Sequence, residues 1–229
     1  MKTFKASVLS GIITGLSLIA NSQSFVNLNF EAASTQASSL GYPFLEWSTA
    51  APGWGHSSGS DTSYVYYQQS HVGFTQFYLL MNATSPVWAP GTQLAGNYSL
   101  MLKSGRQSLA DINSPWVNAY ISQTATIPAG SLSLRMLATG PFDVRVGGVG
   151  ITMYSLGGNS YGGDISAFAG SLAELRILNT AGPSGGPMTV VDNISFSPVA
   201  IPEPSTLAFA GLGALSLMLV RCKHAGHPS

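Results

Sequence analysis

Three short stretches in the middle of the chain decide its fold class: residues 117–122 read VNAYIS, residues 131–136 read SLSLRM and residues 142–146 read FDVRV. In each stretch apolar and polar side chains alternate, which gives an extended strand one apolar and one polar face. Turn signals separate them, Pro128-Ala129-Gly130 before the second stretch and Gly140-Pro141 before the third. The pattern predicts amphipathic β-strands joined by short turns.

The same alternation extends over most of residues 23–199. Similar runs occur at 26–30, 98–102, 149–153, 175–177 and 188–196. About eight amphipathic strands need a second layer over their apolar faces, which a sandwich or barrel provides. Only the segment from Ile165 to Leu172 suits a short helix or turn. The sequence therefore predicts an all-β domain, an antiparallel β-sandwich, over residues 23–199.

Charge is scarce in the chain, and its distribution excludes one class of partner. Of 229 residues, 8% are charged, and the formal net charge at pH 7 is zero. Four of the nine basic residues lie near the two ends, which leaves five basic against eight acidic residues in the middle. Such a domain offers no cationic footprint for nucleic acid. The lone cysteine, Cys222, lies near the C-terminus, so no disulfide is expected in the sandwich.

The N-terminal segment has the three-part layout of a secretory signal peptide. Lys2 and Lys5 precede an apolar run from Val8 to Ala20, and the small residues Ala20 and Ser22 stand at its close. The sequence predicts a signal helix over residues 1–22, removed by signal peptidase. The alternative, an uncleaved anchor helix, requires a span of about 20 residues, and this apolar core is shorter.

The C-terminal segment, residues 200–229, combines a proline motif, an apolar run and a basic stop. Pro202-Glu203-Pro204 fixes an extended approach, and the apolar run from Leu207 to Val220 follows. As a helix this run would be about 21 Å long, short of a hydrocarbon core of about 30 Å. Arg221 and Lys223 would stay on the cytoplasmic side. A transient membrane signal is expected, with a permanent tail anchor as the alternative.

This order of elements closely resembles the PEP-CTERM sorting domain. The resemblance implies an exosortase substrate that inserts in the membrane before processing near Pro202-Glu203-Pro204, with Arg221 and Lys223 as its basic stop. It also implies a Gram-negative-type bacterium with an exopolysaccharide-rich envelope, and delivery to the envelope, outer surface or extracellular matrix. Two features depart from the usual pattern: residues 224–229 trail behind the stop, and Cys222 lies within it.

Several phrases of the middle resemble galactose-binding-like jelly rolls of bacterial carbohydrate-binding modules. They are VNLNFE at residues 26–31, PGW at 52–54, ISQT at 121–124 and VDNISF at 191–196. In those modules a structural calcium joins the first and last strands, and Glu31 and Asp192 occupy the matching phrases. The resemblance therefore implies a structural calcium at this pair. A hydrogen-bonded Asp192 without metal is the alternative, since a buried carboxylate must find partners.

Aromatic residues in the loops before Tyr98 are candidates for ligand binding. Trp54, Tyr66 and Trp88 could stack on the apolar face of a sugar. The alternative is that these rings pack in the core, as large aromatic side chains often do.

No catalytic residue is predicted. His56 and His71 stand in no metal-binding spacing, and no nucleophile elbow or opposed carboxylate pair is recognisable. The expected function is therefore non-enzymatic: an exported structural or adhesive surface protein. A carbohydrate-binding module recognising an extracellular polysaccharide is the alternative.

Overall fold

The computed structural model describes residues 23–57, 63–68, 74–85, 93–108, 110–111, 113–180 and 188–201. The strands are β1 Phe44–Glu46, β2 Gly55–His56, β3 Tyr64–Tyr67, β4 Phe77–Met81, β5 Ser99–Lys103, β6 Gly105–Arg106, β7 Trp116–Val117, β8 Ala119–Thr126, β9 Ser133–Thr139, β10 Asp143–Val146, β11 Val149–Ile151, β12 Tyr154–Gly157, β13 Ser160–Asp164, β14 Leu172–Asn179 and β15 Thr189–Ser197. A four-residue helix α1, Trp47–Ala50, and a 3₁₀ turn, Ser166–Phe168, are the helical elements of this part of the chain.

Two sheets account for most of the strands. The larger sheet has the order β1-β3-β4-β5-β15-β9-β13-β12, the smaller has the order β11-β10-β14-β8-β2, and β6 and β7 form a separate ribbon. Neighbours are antiparallel except β3 and β4, which run parallel. The last strand, β15, lies inside the larger sheet between β5 and β9. The chain is thus mostly β-structure in packed, largely antiparallel sheets, as the alternation predicted.

The hydrophobic core lies between the two sheets. Strand β8 alternates buried and more exposed residues along its whole length, as its sequence requires. Ile121 from β8 and Ile177 from β14 meet Leu134 from β9 and Val191 from β15 in one apolar cluster, and all four are fully buried. Alternation in sequence is therefore sufficient to place one face of each of these strands in the core.

Strands β4 and β5 depart from the alternation because both of their faces are buried. Phe77, Leu79, Met81, Met101 and Val190 form a second apolar cluster on the outer face of the larger sheet. The run FYLLM of β4 was not predicted as a strand. A continuous apolar run carries no period, so it does not distinguish a doubly buried strand from other buried segments.

Both predicted terminal helices, over residues 1–22 and within 200–229, lie outside the described residues apart from 200 and 201. In the part of the chain that the structure describes, no helix is long and apolar enough to cross a membrane. The short helix or turn predicted over Ile165 to Leu172 corresponds to the 3₁₀ turn at Ser166–Phe168.

Candidate functional site

The structure brings the two predicted metal ligands to one loop. Residues 94–99, here called the carboxylate loop, lead into β5. The carboxylates of Glu31 and Asp192 both accept hydrogen bonds from residues of this loop. Asp192 shares the face of Val190, and a bulge at Asn193, whose φ is 46°, moves Ile194 to the opposite face. The carboxylate of Asp192 therefore lies under the carboxylate loop on the outer side of the larger sheet.

Asp192 is almost fully buried and all its carboxylate oxygens are hydrogen-bonded. Its side chain and backbone together are 1% exposed. Oδ2 accepts from the backbone N–H of Ala95 at 2.9 Å and from the hydroxyl of Ser99 at 2.7 Å, and Oδ1 accepts from the N–H of Asn193 at 2.6 Å. These contacts join the closing strand to the entry of β5.

The carboxylate of Glu31 also accepts hydrogen bonds from the carboxylate loop. Its Oε1 accepts from the backbone N–H groups of Asn97 at 2.7 Å and Tyr98 at 3.1 Å, and its Oε2 accepts from the Asn97 side-chain amide at 2.8 Å. Gly96 has φ of 55°, and a Cβ there would overlap Oε1 of Glu31. The positive φ and the close approach of the carboxylate therefore both favour glycine at this point of the loop.

The environments of the two carboxyl groups shift their pKa values in opposite directions. Burial raises the pKa of Asp192 and the nearby charge of Glu31 raises it further, against the lowering effect of hydrogen bonds from Ser99, Asn193 and Ala95. Burial also tends to raise the pKa of Glu31, but the hydrogen bonds from Tyr98 and Asn97 outweigh it and hold that pKa below its usual value. Glu31 is therefore the anion that the loop stabilises more strongly.

The arrangement does not fit a calcium ion as it stands. All four carboxylate oxygens already accept an N–H or O–H donor, and calcium needs six to eight oxygen ligands. No group of three or more His, Cys, Asp or Glu side chains with metal-site spacing occurs among the described residues. The donors would have to turn away for the ion to bind. No observation tests the calcium that the resemblance implies at Glu31 and Asp192, and the hydrogen-bonded alternative accounts for the burial of Asp192.

The sequence did not identify the carboxylate loop as the partner of this pair. Its signal is modest: Gly96-Asn97 is a typical turn dipeptide, and it precedes the alternating run at Tyr98. A turn dipeptide predicts a reversal of the chain but not which distant carboxylate its amides will meet.

Trp54, predicted as a sugar-binding residue, lies in the core. It is 4% exposed, its ring stacks on Phe30 with centroids 5.7 Å apart, and its indole N–H donates to the carbonyl of Asn27 at 2.9 Å. The ring has no open face for a sugar, which favours the packing alternative for this residue.

Of the other two aromatic residues predicted to bind a sugar, only Tyr66 lies within the described residues. Tyr66 is half-buried, with Phe44 at 5.2 Å on one side and Phe77 at 5.8 Å on the other, between ring centroids. It packs on the outer cluster of the larger sheet rather than on the carboxylate loop. Trp88 lies outside the described residues.

The sorting residues Pro202, Glu203 and Pro204 and the basic stop Arg221 and Lys223 also lie beyond the described residues. The chain just before them is ordered on the sandwich: Ile201 is 8% exposed and its side chain fills the space beside Gly162 of β13. Only three residues separate the end of β15 at Ser197 from Ile201.

Comparison with known proteins adds one finding. Residues 200–222 match the PEP-CTERM protein-sorting motif, which includes Pro202-Glu203-Pro204, the apolar run and Arg221. No curated protein is significantly similar to the chain. The predicted sorting domain is thereby confirmed, and exosortase is the processing partner that it implies. The chain carries the PEP-CTERM motif of exosortase-dependent proteins exported to the cell envelope or surface.

Proposed function

We infer that the sandwich is a non-enzymatic structural or adhesive component of the cell envelope or extracellular matrix. In this proposal residues 1–22 direct export and are removed by signal peptidase, and the segment after Ile201 is processed by exosortase. The remaining domain, in this proposal, is a jelly roll of the galactose-binding-like kind, which the phrases at residues 26–31 and 191–196 support. It acts on the outer surface or in the matrix of a Gram-negative-type bacterium.

The observation that carries the proposal is the junction between the sandwich and the sorting motif. β15 lies inside the larger sheet and ends at Ser197, and the matched motif begins at residue 200. Ile201 is held against the sandwich at Gly162. The sandwich is therefore joined to the sorting motif without a long linker, which supports its role as the part that the motif delivers.

A test follows the protein in its host. An epitope inserted in the exposed β12–β13 turn at Gly158 reports where the sandwich resides, because a Cβ there meets no other atom within 4 Å. We expect labelling of intact cells or matrix, and weaker cohesion of the matrix in a deletion strain. An epitope confined to the cell interior, or unchanged cohesion after deletion, would contradict the proposal.

A carbohydrate-binding module remains the second candidate, and one observation favours it. The outer face of the smaller sheet carries a groove lined by two arginines and two aromatic rings. Arginine and aromatic side chains together suit recognition of a charged sugar.

A further inference from the structure

Two arginines lie directly opposite one another on the outer face of the smaller sheet. Arg145 of β10 is the register partner of Arg176 of β14. Like charges in opposite positions on neighbouring strands destabilise a sheet. Residues 23–200 contain only five lysine and arginine side chains. Two of these five lie opposite each other, where their positive charges repel. An anion bound between the two guanidinium groups would remove that repulsion.

Aromatic rings hold the neighbouring guanidinium groups in place. Arg176 lies over the ring of Tyr120 at 4.3 Å, and Arg106 lies over the ring of Trp116 at 4.9 Å. The Tyr120 backbone is fixed in turn by the hydroxyl of buried Tyr78, which donates to its carbonyl at 2.8 Å. Guanidinium groups that are already ordered lose less entropy when they bind a ligand.

The groove at this position has a volume of about 410 Å³, and none of its lining residues in the described part of the chain carries a carboxylate. The lining residues are Ser57, Trp116, Val117, Asn118, Tyr120, Arg145, Arg176 and Leu178. Glu174 neutralises one edge of Arg176 through a 2.8 Å ion pair, the only one among the described residues. Nε of Arg176 is buried without a hydrogen-bond acceptor, and Arg145 is exposed.

Acidic side chains near Arg145 do not occupy the groove. Asp143 lies on the same face of β10, and its Oδ2 is 3.4 Å from the hydroxyl of Thr180. Arg145 also lines a neighbouring groove of about 640 Å³ together with Phe142, Asp143 and Tyr161. The carboxylate of Asp143 disfavours an anion there, so the groove that Arg145 shares with Arg176 suits an acidic chain better.

We propose that this groove binds the carboxylate groups of an acidic polysaccharide through Arg145 and Arg176. The planar fork of exposed Arg145 matches a carboxylate with two parallel hydrogen bonds, and Arg176 adds a second positive charge beside it. The neighbouring rings of Trp116 and Tyr120 suit the apolar edge of a sugar. Nucleic acid is a poorer ligand, since acidic residues outnumber basic ones in the domain. The proposal rests on the carbohydrate-binding alternative and names its ligand class. It does not depend on whether exosortase processes the chain.

The test measures binding of the full-length chain, purified in mild detergent, to polygalacturonate at low ionic strength. The matched probe is the same polymer with its carboxylates reduced to hydroxymethyl groups, which keeps the sugar backbone and removes the charge. We expect binding to polygalacturonate alone. Arg145→Gln and Arg176→Gln should each weaken it by roughly tenfold, because each removes one positively charged hydrogen-bond donor from the groove.

Arg135→Gln is the control variant, since Arg135 lies on β9 of the larger sheet. Thermal melts establish that each variant is folded. Because Arg145 is exposed, Arg145→Gln keeps the test valid if Arg176→Gln unfolds.

Three results would overturn the proposal: equal binding of the reduced polymer, equal loss of binding with Arg135→Gln, or no loss of binding with Arg145→Gln. Preference for dextran sulfate or single-stranded DNA over polygalacturonate would overturn the assignment of the ligand. Surface delivery can be normal in each case, so the proposed function is tested separately.

Discussion

At the scale of single residues, Gly96 combines a strained backbone conformation with close contact to a carboxylate. Its φ of 55° is unfavourable for residues with a side chain, and a Cβ would meet the Glu31 carboxylate. Gly130 has a similarly positive φ of 81°, but a Cβ there would meet no atom within 4 Å. The two glycines therefore separate the cost of the backbone conformation from the cost of crowding the carboxylate.

Gly96→Ala should lower the free energy of unfolding by more than Gly130→Ala does. The backbone term alone costs about 1–2 kcal/mol in both variants. At Gly96 the added methyl group also displaces the Glu31 carboxylate from its hydrogen bonds, at about 0.5–1.5 kcal/mol more. Chemical denaturation of both variants measures the difference. Equal losses would show that the hydrogen bonds between Glu31 and the carboxylate loop contribute nothing to stability.

At the scale of elements, the sequence predicted those strands that have one buried apolar face and one more exposed polar face. The alternating runs at 117–122, 131–136 and 142–146 fall on or beside β8, β9 and β10. Strand β4 was missed because both of its faces are buried. The pairing of strands within a sheet could not be predicted. Arg145 and Arg176 lie far apart in sequence, and only the register of β10 with β14 places them opposite each other.

The carboxylate loop supports a prediction about calcium. Because Glu31 and Asp192 are already satisfied by hydrogen-bond donors, we expect the same melting midpoint in calcium and in chelator. A ligand that binds the folded state raises the midpoint. An increase in calcium that is lost in Glu31→Gln would contradict this expectation and establish the structural ion that the resemblance implies.

At the scale of the whole molecule, the account depends on the connection between a folded sandwich and a short sorting motif. The motif was recognisable in the sequence because proline, apolar and basic residues follow one another in a fixed order. The sandwich class was predictable from alternation. What could not be predicted is that Ile201 contacts Gly162, because that contact depends on where β13 lies beside the end of β15.

The most direct test of the central claim is the intact mass of the protein recovered from the surface of a host with the cognate exosortase. We expect the wild-type chain to lack the apolar run after Pro202-Glu203-Pro204. Glu203→Ala should retain it, and Thr206→Ala, a change outside Pro202-Glu203-Pro204, should be processed normally. A wild-type protein that keeps residues 207–223, with the same mass in an exosortase-deficient host, would contradict sorting by this motif.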